Sequence, residues 1–82
     1  MPLRELKDSR KVIGTKQVKK ALARGEVKKV YVATDAEPFV IEPIIELCRQ
    51  KQVEIGTAET MKSLGTACGI DVGSAAVALL KE

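Results

Sequence analysis

Residues 14–25 read GTKQVKKALARG, and residues 27–34 read VKKVYVAT. The first stretch opens on a glycine, closes on a glycine and holds good helix formers between them, which predicts a helix from about Lys16 to Arg24. Gly14 and Thr15 give the break before it, with Thr15 a candidate N-cap, and Gly25 is the expected C′ residue. At 100° per residue Val18, Ala21 and Leu22 fall on one side, while Lys16, Gln17, Lys19, Lys20 and Arg24 collect on the other. Such a helix can dock on a core and present a row of donors outward. The second stretch is β-branched and ends in an apolar run, as a largely buried strand does.

Outward from this pair the same signals recur. Residues 3 to about 10 form a short polar helix candidate, with Leu3 and Leu6 spaced to touch a core. Asp35-Ala36-Glu37-Pro38 reads as a turn leading into a helix that ends near Lys51. Pro43 inside that helix predicts that its regular part starts late or bends there, because proline has no amide to donate. A short strand is expected over Val53–Thr57 and a helix over about Ala58–Ala67 capped by Thr57. A glycine-rich loop, CGIDVGS, follows over Cys68–Ser74, and a final buried strand over Ala75–Leu80. The order α, α, β, α, β, α, β predicts an α/β fold with helices on both faces of a small mixed or parallel sheet. At 82 residues the chain suits one domain, residues 1–82.

Charge is uneven along the chain. Residues 1–31 carry ten basic against three acidic groups, net +7, and the remainder carries four against eight, net −4. A basic face beside an acidic remainder is the footprint of a polyanion binder, and equally of a solvated lysine-rich surface. The N-terminus of the Lys16–Arg24 helix adds unpaired amides suited to phosphate. Lysine can donate to O6 and N7 of guanine, and glutamine can pair with a base edge, so the cluster is able to read bases as well as neutralise phosphates.

Several function classes find no support. Tyr31 and Phe39 are the sole aromatic residues, too few for a single-strand binder that stacks bases on rings. There is no histidine and no CxxC, which argues against structural zinc; Cys48 and Cys68 read as small buried or half-buried thiols in a reducing compartment. The segment Gly65–Gly73 has neither GKS nor GKT, and GxGxxG is absent, so no cofactor or nucleotide loop is indicated. Asp35 and Glu37 lie close enough to suggest an acid pair, but a turn before a helix is the simpler role. A small thiol or carboxylate enzyme therefore stands as a weak alternative. No signal-like or membrane-length apolar run is seen, and the expectation is a cytoplasmic monomer with no membrane partner. Ile70 and Val72 are apolar residues in a glycine-rich loop. They either fold back on the core or form a platform for an unstacked base.

The segments GTKQVKKALARG (Gly14–Gly25), ATDAEP (Ala33–Pro38) and LGTACGIDVGSAAVA (Leu64–Ala78), in that order, resemble the kink-turn-binding ribosomal protein family. Its members include the archaeal protein L-seven-Ae, the eukaryotic L-thirty-e proteins and short bacterial homologues. The resemblance implies a three-layer α/β/α sandwich with a small mixed sheet. It also implies binding to a kink-turn, an RNA bulge flanked by tandem sheared G·A pairs. The family helix opens G-x-N-E-x-x-K and enters the widened groove at those pairs. Here the matching positions are Gly14, Lys16, Gln17 and Lys20. Lys16 and Gln17 replace Asn-Glu, and Lys20 keeps the family lysine. By resemblance Glu37 accepts from the flipped-out nucleotide and Ile70 and Val72 form its apolar wall. The implied RNA-binding set is Gly14, Thr15, Lys16, Gln17, Lys20, Glu37, Ile70, Asp71 and Val72, with the ribosome a further expected partner. The competing reading is a ribosome-associated protein-interaction module of the same fold that reads no RNA.

Overall fold

A computed structural model describes residues 10–70 and 72–81. The elements in chain order are β1 (Lys11–Ile13), α1 (Thr15–Ala23), β2 (Val27–Ala33), α2 (Pro38–Lys51), β3 (Glu54–Ala58), α3 (Met61–Ala67) and β4 (Ala76–Leu80). The sheet order is β1-β4-β2-β3. Strand β4 is antiparallel to both its neighbours and β2 is parallel to β3, so β1, β2 and β3 share one direction. The sheet is mixed, as expected.

Alternation along the central strands sorts the core into two halves. Val30 and Val32 of β2, with Ala76 and Ala78 of β4, face α1 and α2, whose Val18, Leu22, Ile44 and Cys48 are fully buried there. Tyr31, Ala33, Val77 and Leu79 point the other way, onto Leu64 of α3. Three layers result, with two helices on one face and one on the other. Truncating a buried leucine or isoleucine such as Leu22 or Ile44 to alanine in this close-packed interior should cost about 2–5 kcal/mol.

Sequence expectation and structure part company at β1, at Pro43 and at the start of α3. The candidate helix over residues 3–10 lies outside the described residues but for Arg10, which is irregular. The KVI triplet at 11–13 forms β1, paired in register with Leu79, Ala78 and Val77. Of the two expectations for Pro43, the late start does not hold: α2 runs from Pro38 at its first position, where the missing amide costs nothing. Pro43 itself lies on the solvent face, where water can take the carbonyl its amide would have bonded. Finally α3 starts three residues later than predicted. Thr57 and Ala58 belong to β3, paired with Val32 and Ala33. Thr60 is the cap; its hydroxyl accepts from the Ser63 amide at 2.9 Å, and the Ser63 hydroxyl accepts from the Thr60 amide at 3.3 Å.

Tyr31 is a fully buried ring over its cross-strand partner Gly56. A Cβ on Gly56 would sit 2.7 Å from a ring carbon, so the glycine makes room for the tyrosine. The Lys29 ammonium lies 4.7 Å from the ring centroid and 3.5 Å from a Glu54 carboxylate oxygen.

Candidate nucleic-acid interface

Because β1, β2 and β3 run the same way and each is followed by a helix, α1, α2 and α3 begin at one edge of the sheet. That edge, beyond the carboxyl ends of the strands, is where open α/β sheets bind ligands. It also gathers three positive helix ends.

At the start of α1, Gly14 is the N-cap with φ 102° and ψ 147°. This corrects the expectation for Thr15, which is the first helical residue instead. Glycine fits because the backbone there is in a region that side-chain-bearing residues rarely adopt. Its amide donates to the Ala76 carbonyl at 3.0 Å, which ties the turn to β4, and its carbonyl accepts from Val18 at 2.9 Å. No side chain closes this end of the helix. Lys16, Gln17 and Lys20 are all exposed, and helical spacing puts them with Arg24 within one arc of about 100°. Among the described residues neither Lys16 nor Lys20 has an acidic partner.

Beside this arc lies an open cleft of 390 Å³. Gly14 and Thr15 form one wall, Glu37 and Val40 another, and Ile70 and Val72 the third. Residues far apart in sequence are thus brought together. Glu37 is the N-cap of α2, exposed, with no side-chain cap bond. Of the two fates open to the loop aliphatics, neither residue joins the buried core: Ile70 is half-buried and Val72 is 69% exposed. Asp71 lies outside the described residues.

The loop is held at both ends. The Ile70 amide donates to Gly65 at 3.1 Å and the Ser74 amide to Met61 at 3.1 Å. The buried Ser74 hydroxyl donates to the Ala76 carbonyl at 2.8 Å. Gly65 is packed so closely under the loop that a Cβ would collide with the Val72 carbonyl.

Asp35 has a structural partner of its own. Its carboxylate accepts from the Met61 amide at 2.8 Å and so caps α3 from outside, while the Thr34 hydroxyl donates to Glu59 at 3.0 Å. Sequence reasoning missed this role because the partner is 26 residues away. Cys48 is buried and Cys68 half-buried, both as free thiols. Burial pushes both thiols up, and for Cys68 the charge of Lys11 opposes that shift. Raised thiols are poor nucleophiles at neutral pH. Among the described residues no cluster of His, Cys, Asp or Glu could hold a metal, and no helix is long and apolar enough to cross a membrane.

Residues 3–82 match the Ribosomal protein L7Ae/L30e/S12e/Gadd45 family. An RNA-binding protein from Halalkalibacterium halodurans is 53% identical over 70 residues, 85% of each chain. The large ribosomal subunit protein eL8 of Halobacterium salinarum is 40% identical over 68 residues, which are 82% of this chain and 57% of that protein. Among solved structures, the Giardia lamblia 15.5kD RNA binding protein superposes with a TM-score of 0.90 at 23% identity, over 99% of this chain and 72% of its own.

Proposed function

This chain belongs to the Ribosomal protein L7Ae/L30e/S12e/Gadd45 family, and from that premise we propose that it binds RNA, specifically kink-turns, stabilising the bent form without catalysing a reaction. The observation that carries this reading is the juxtaposition of an exposed Lys16, Gln17 and Lys20 arc with an open cleft lined by Glu37, Ile70 and Val72. The arc supplies donors for guanine O6 and N7 at sheared pairs, and the uncapped amides of α1 supply further donors for phosphate. In the cleft, Glu37 accepts from the base edge of a flipped-out nucleotide while Ile70 and Val72 cover its face. A-form duplex hides base edges in a narrow groove, and a kink opens that groove to the helix. Preferential binding of the bent conformer then shifts the RNA toward it. The single domain acts as a cytoplasmic monomer, on the ribosome or on a regulatory RNA.

The test is a titration of a kink-turn RNA against the same RNA with its sheared G·A pairs changed to Watson-Crick pairs. Bending is followed by fluorescence energy transfer, and a preference for the first RNA with bending on binding is the expected outcome. Equal binding would reduce the reading to polyanion attraction, and an affinity indifferent to added salt would remove the lysines from it. A second reading rests on Phe39, which is 74% exposed on the outer face of α2. It makes the chain a protein-interaction module, whose activity would survive Lys16→Ala/Lys20→Ala.

A further inference from the structure

Exposed lysines gather at a second place in the fold, to which the acidic remainder of the chain contributes as well. At the edge opposite the helix starts lies a second cleft of 290 Å³ over Leu22, Val27 and Val53, ringed by Lys28, Lys51 and Lys81. These three exposed lysines come from different elements, and among the described residues none of them has an acidic partner. Only Lys51 sits in the last turn of a helix, where a cation complements the helix dipole. That explanation does not reach the other two. Lys28 falls where the β2–β4 register shifts between Val27 and Lys29, an irregularity of the kind that re-aims a side chain. Lys81 follows β4 and is fixed by its amide, which donates to Glu26 at 2.8 Å.

The two clefts lie toward opposite ends of β2 and α1. Val27 begins β2 at the lower one and Ala33 ends it near the upper one, a separation of about 20 Å for seven residues. On α1, Lys16, Lys20 and Arg24 succeed one another at i, i+4 and i+8, and Arg24 adjoins Gly25 on the lower cleft. Successive residues of this series turn by only about 40°, so the row descends one side of the helix. Cations therefore run almost without interruption from one end of the molecule to the other.

We propose that the lower cleft is a second RNA contact, in which Lys28, Lys51 and Lys81 hold the phosphate backbone of a duplex arm that leaves the kink and passes down α1. The proposal rests on the RNA-binding reading above and extends its footprint. No aromatic ring lines this cleft, so the contact is to backbone and indifferent to sequence. Its signature is a dependence on RNA length.

The experiment compares a kink-turn with arms just long enough to form against one with both arms lengthened, by fluorescence anisotropy over a range of salt. Wild-type protein should bind the longer RNA about tenfold more tightly, with a log–log salt slope steeper by about two. Lys28→Ala/Lys81→Ala should lose that gain and keep its affinity for the short RNA, with an unchanged circular dichroism melt. Lys28→Arg/Lys81→Arg should keep the gain, as should Arg49→Ala/Lys62→Ala, which removes the same charge elsewhere. A gain that survives in Lys28→Ala/Lys81→Ala overturns the proposal, as does equal weakening of both RNAs. So does loss of the gain in the Arg49→Ala/Lys62→Ala control, and so does a transfer of the lysine dependence to anionic lipid vesicles with none on RNA length. Wild-type protein that holds neither RNA sinks the RNA-binding reading itself, whereas equal affinity for both lengths sinks only this extension.

Discussion

Helices α1 and α3 start at the same edge of the sheet but are finished differently. The start of α3 is closed three times over, by the Thr60 hydroxyl, by the Ser63 hydroxyl and by the Asp35 carboxylate arriving from the β2–α2 turn. The start of α1 has a glycine cap and no side-chain bond, and α2 behind Glu37 has none either. Orphan amides at a helix end need a partner from side chain, water or ligand. The edge is therefore divided into a sealed corner, which supports the loop carrying Ile70 and Val72, and an open one beside exposed lysines. One corner contributes stability, and the other is where we propose that RNA binds.

Substitutions can break that division or sharpen it. The largest effect is expected at the open corner: Lys16→Ala/Lys20→Ala should lower kink-turn affinity about a hundredfold, roughly 3 kcal/mol, while the thermal melt stays in place. In the sealed corner Gly65→Ala forces a methyl group against the Val72 carbonyl, so a loss of about 2 kcal/mol in urea unfolding is expected, together with weaker RNA binding as the loop shifts. Gly14→Ser meets no atom within 4 Å, and its cost is the φ of 102° alone, about 1–2 kcal/mol. It also gives α1 a hydroxyl that competes for the amides, so kink-turn affinity should fall more than stability accounts for. Asp35→Ala should lower stability by about 1 kcal/mol and leave RNA affinity within about twofold, with Asp35→Asn intermediate. An Asp35→Ala protein with wild-type stability but lost binding would erase the distinction between the corners. Smallest is Val72→Ser: the melt should not move, because the side chain is exposed, and kink-turn affinity should drop severalfold.

How much of this was readable beforehand follows from the range of the interactions. The two arcs of α1 were legible because nine residues at a 3.6 period leave little ambiguity, and Gly25 stops the helix as expected, at φ 71°. The buried centre of β2 was legible from its β-branched run. Strand β1 was not, since three residues carry no usable period and KVI becomes a strand only by pairing with β4. Thr57 was the cap expected from sequence; the pairing of Ala58 with Ala33 extends β3 past it, and the cap falls to Thr60. The roles of Asp35 and Gly65 depend on Met61 and Val72, partners that only the closed fold supplies. Of the proposed binding set, the helical members followed from spacing and resemblance. That Glu37, Ile70 and Val72 line the cleft with Gly14 and Thr15 was implied by resemblance and is a fact of three-dimensional assembly.

The ring packed over Gly56 has a practical side. Tyr31 is the sole tyrosine in a chain without tryptophan, so its ultraviolet emission comes from one site on the α3 side of the sheet. Separation of that ring from the Lys29 ammonium, or its exposure to water, will register as a change in a single label-free spectroscopic signal. Unfolding can be followed through it at the centre of the protein while the proposed RNA-binding edge is altered at will.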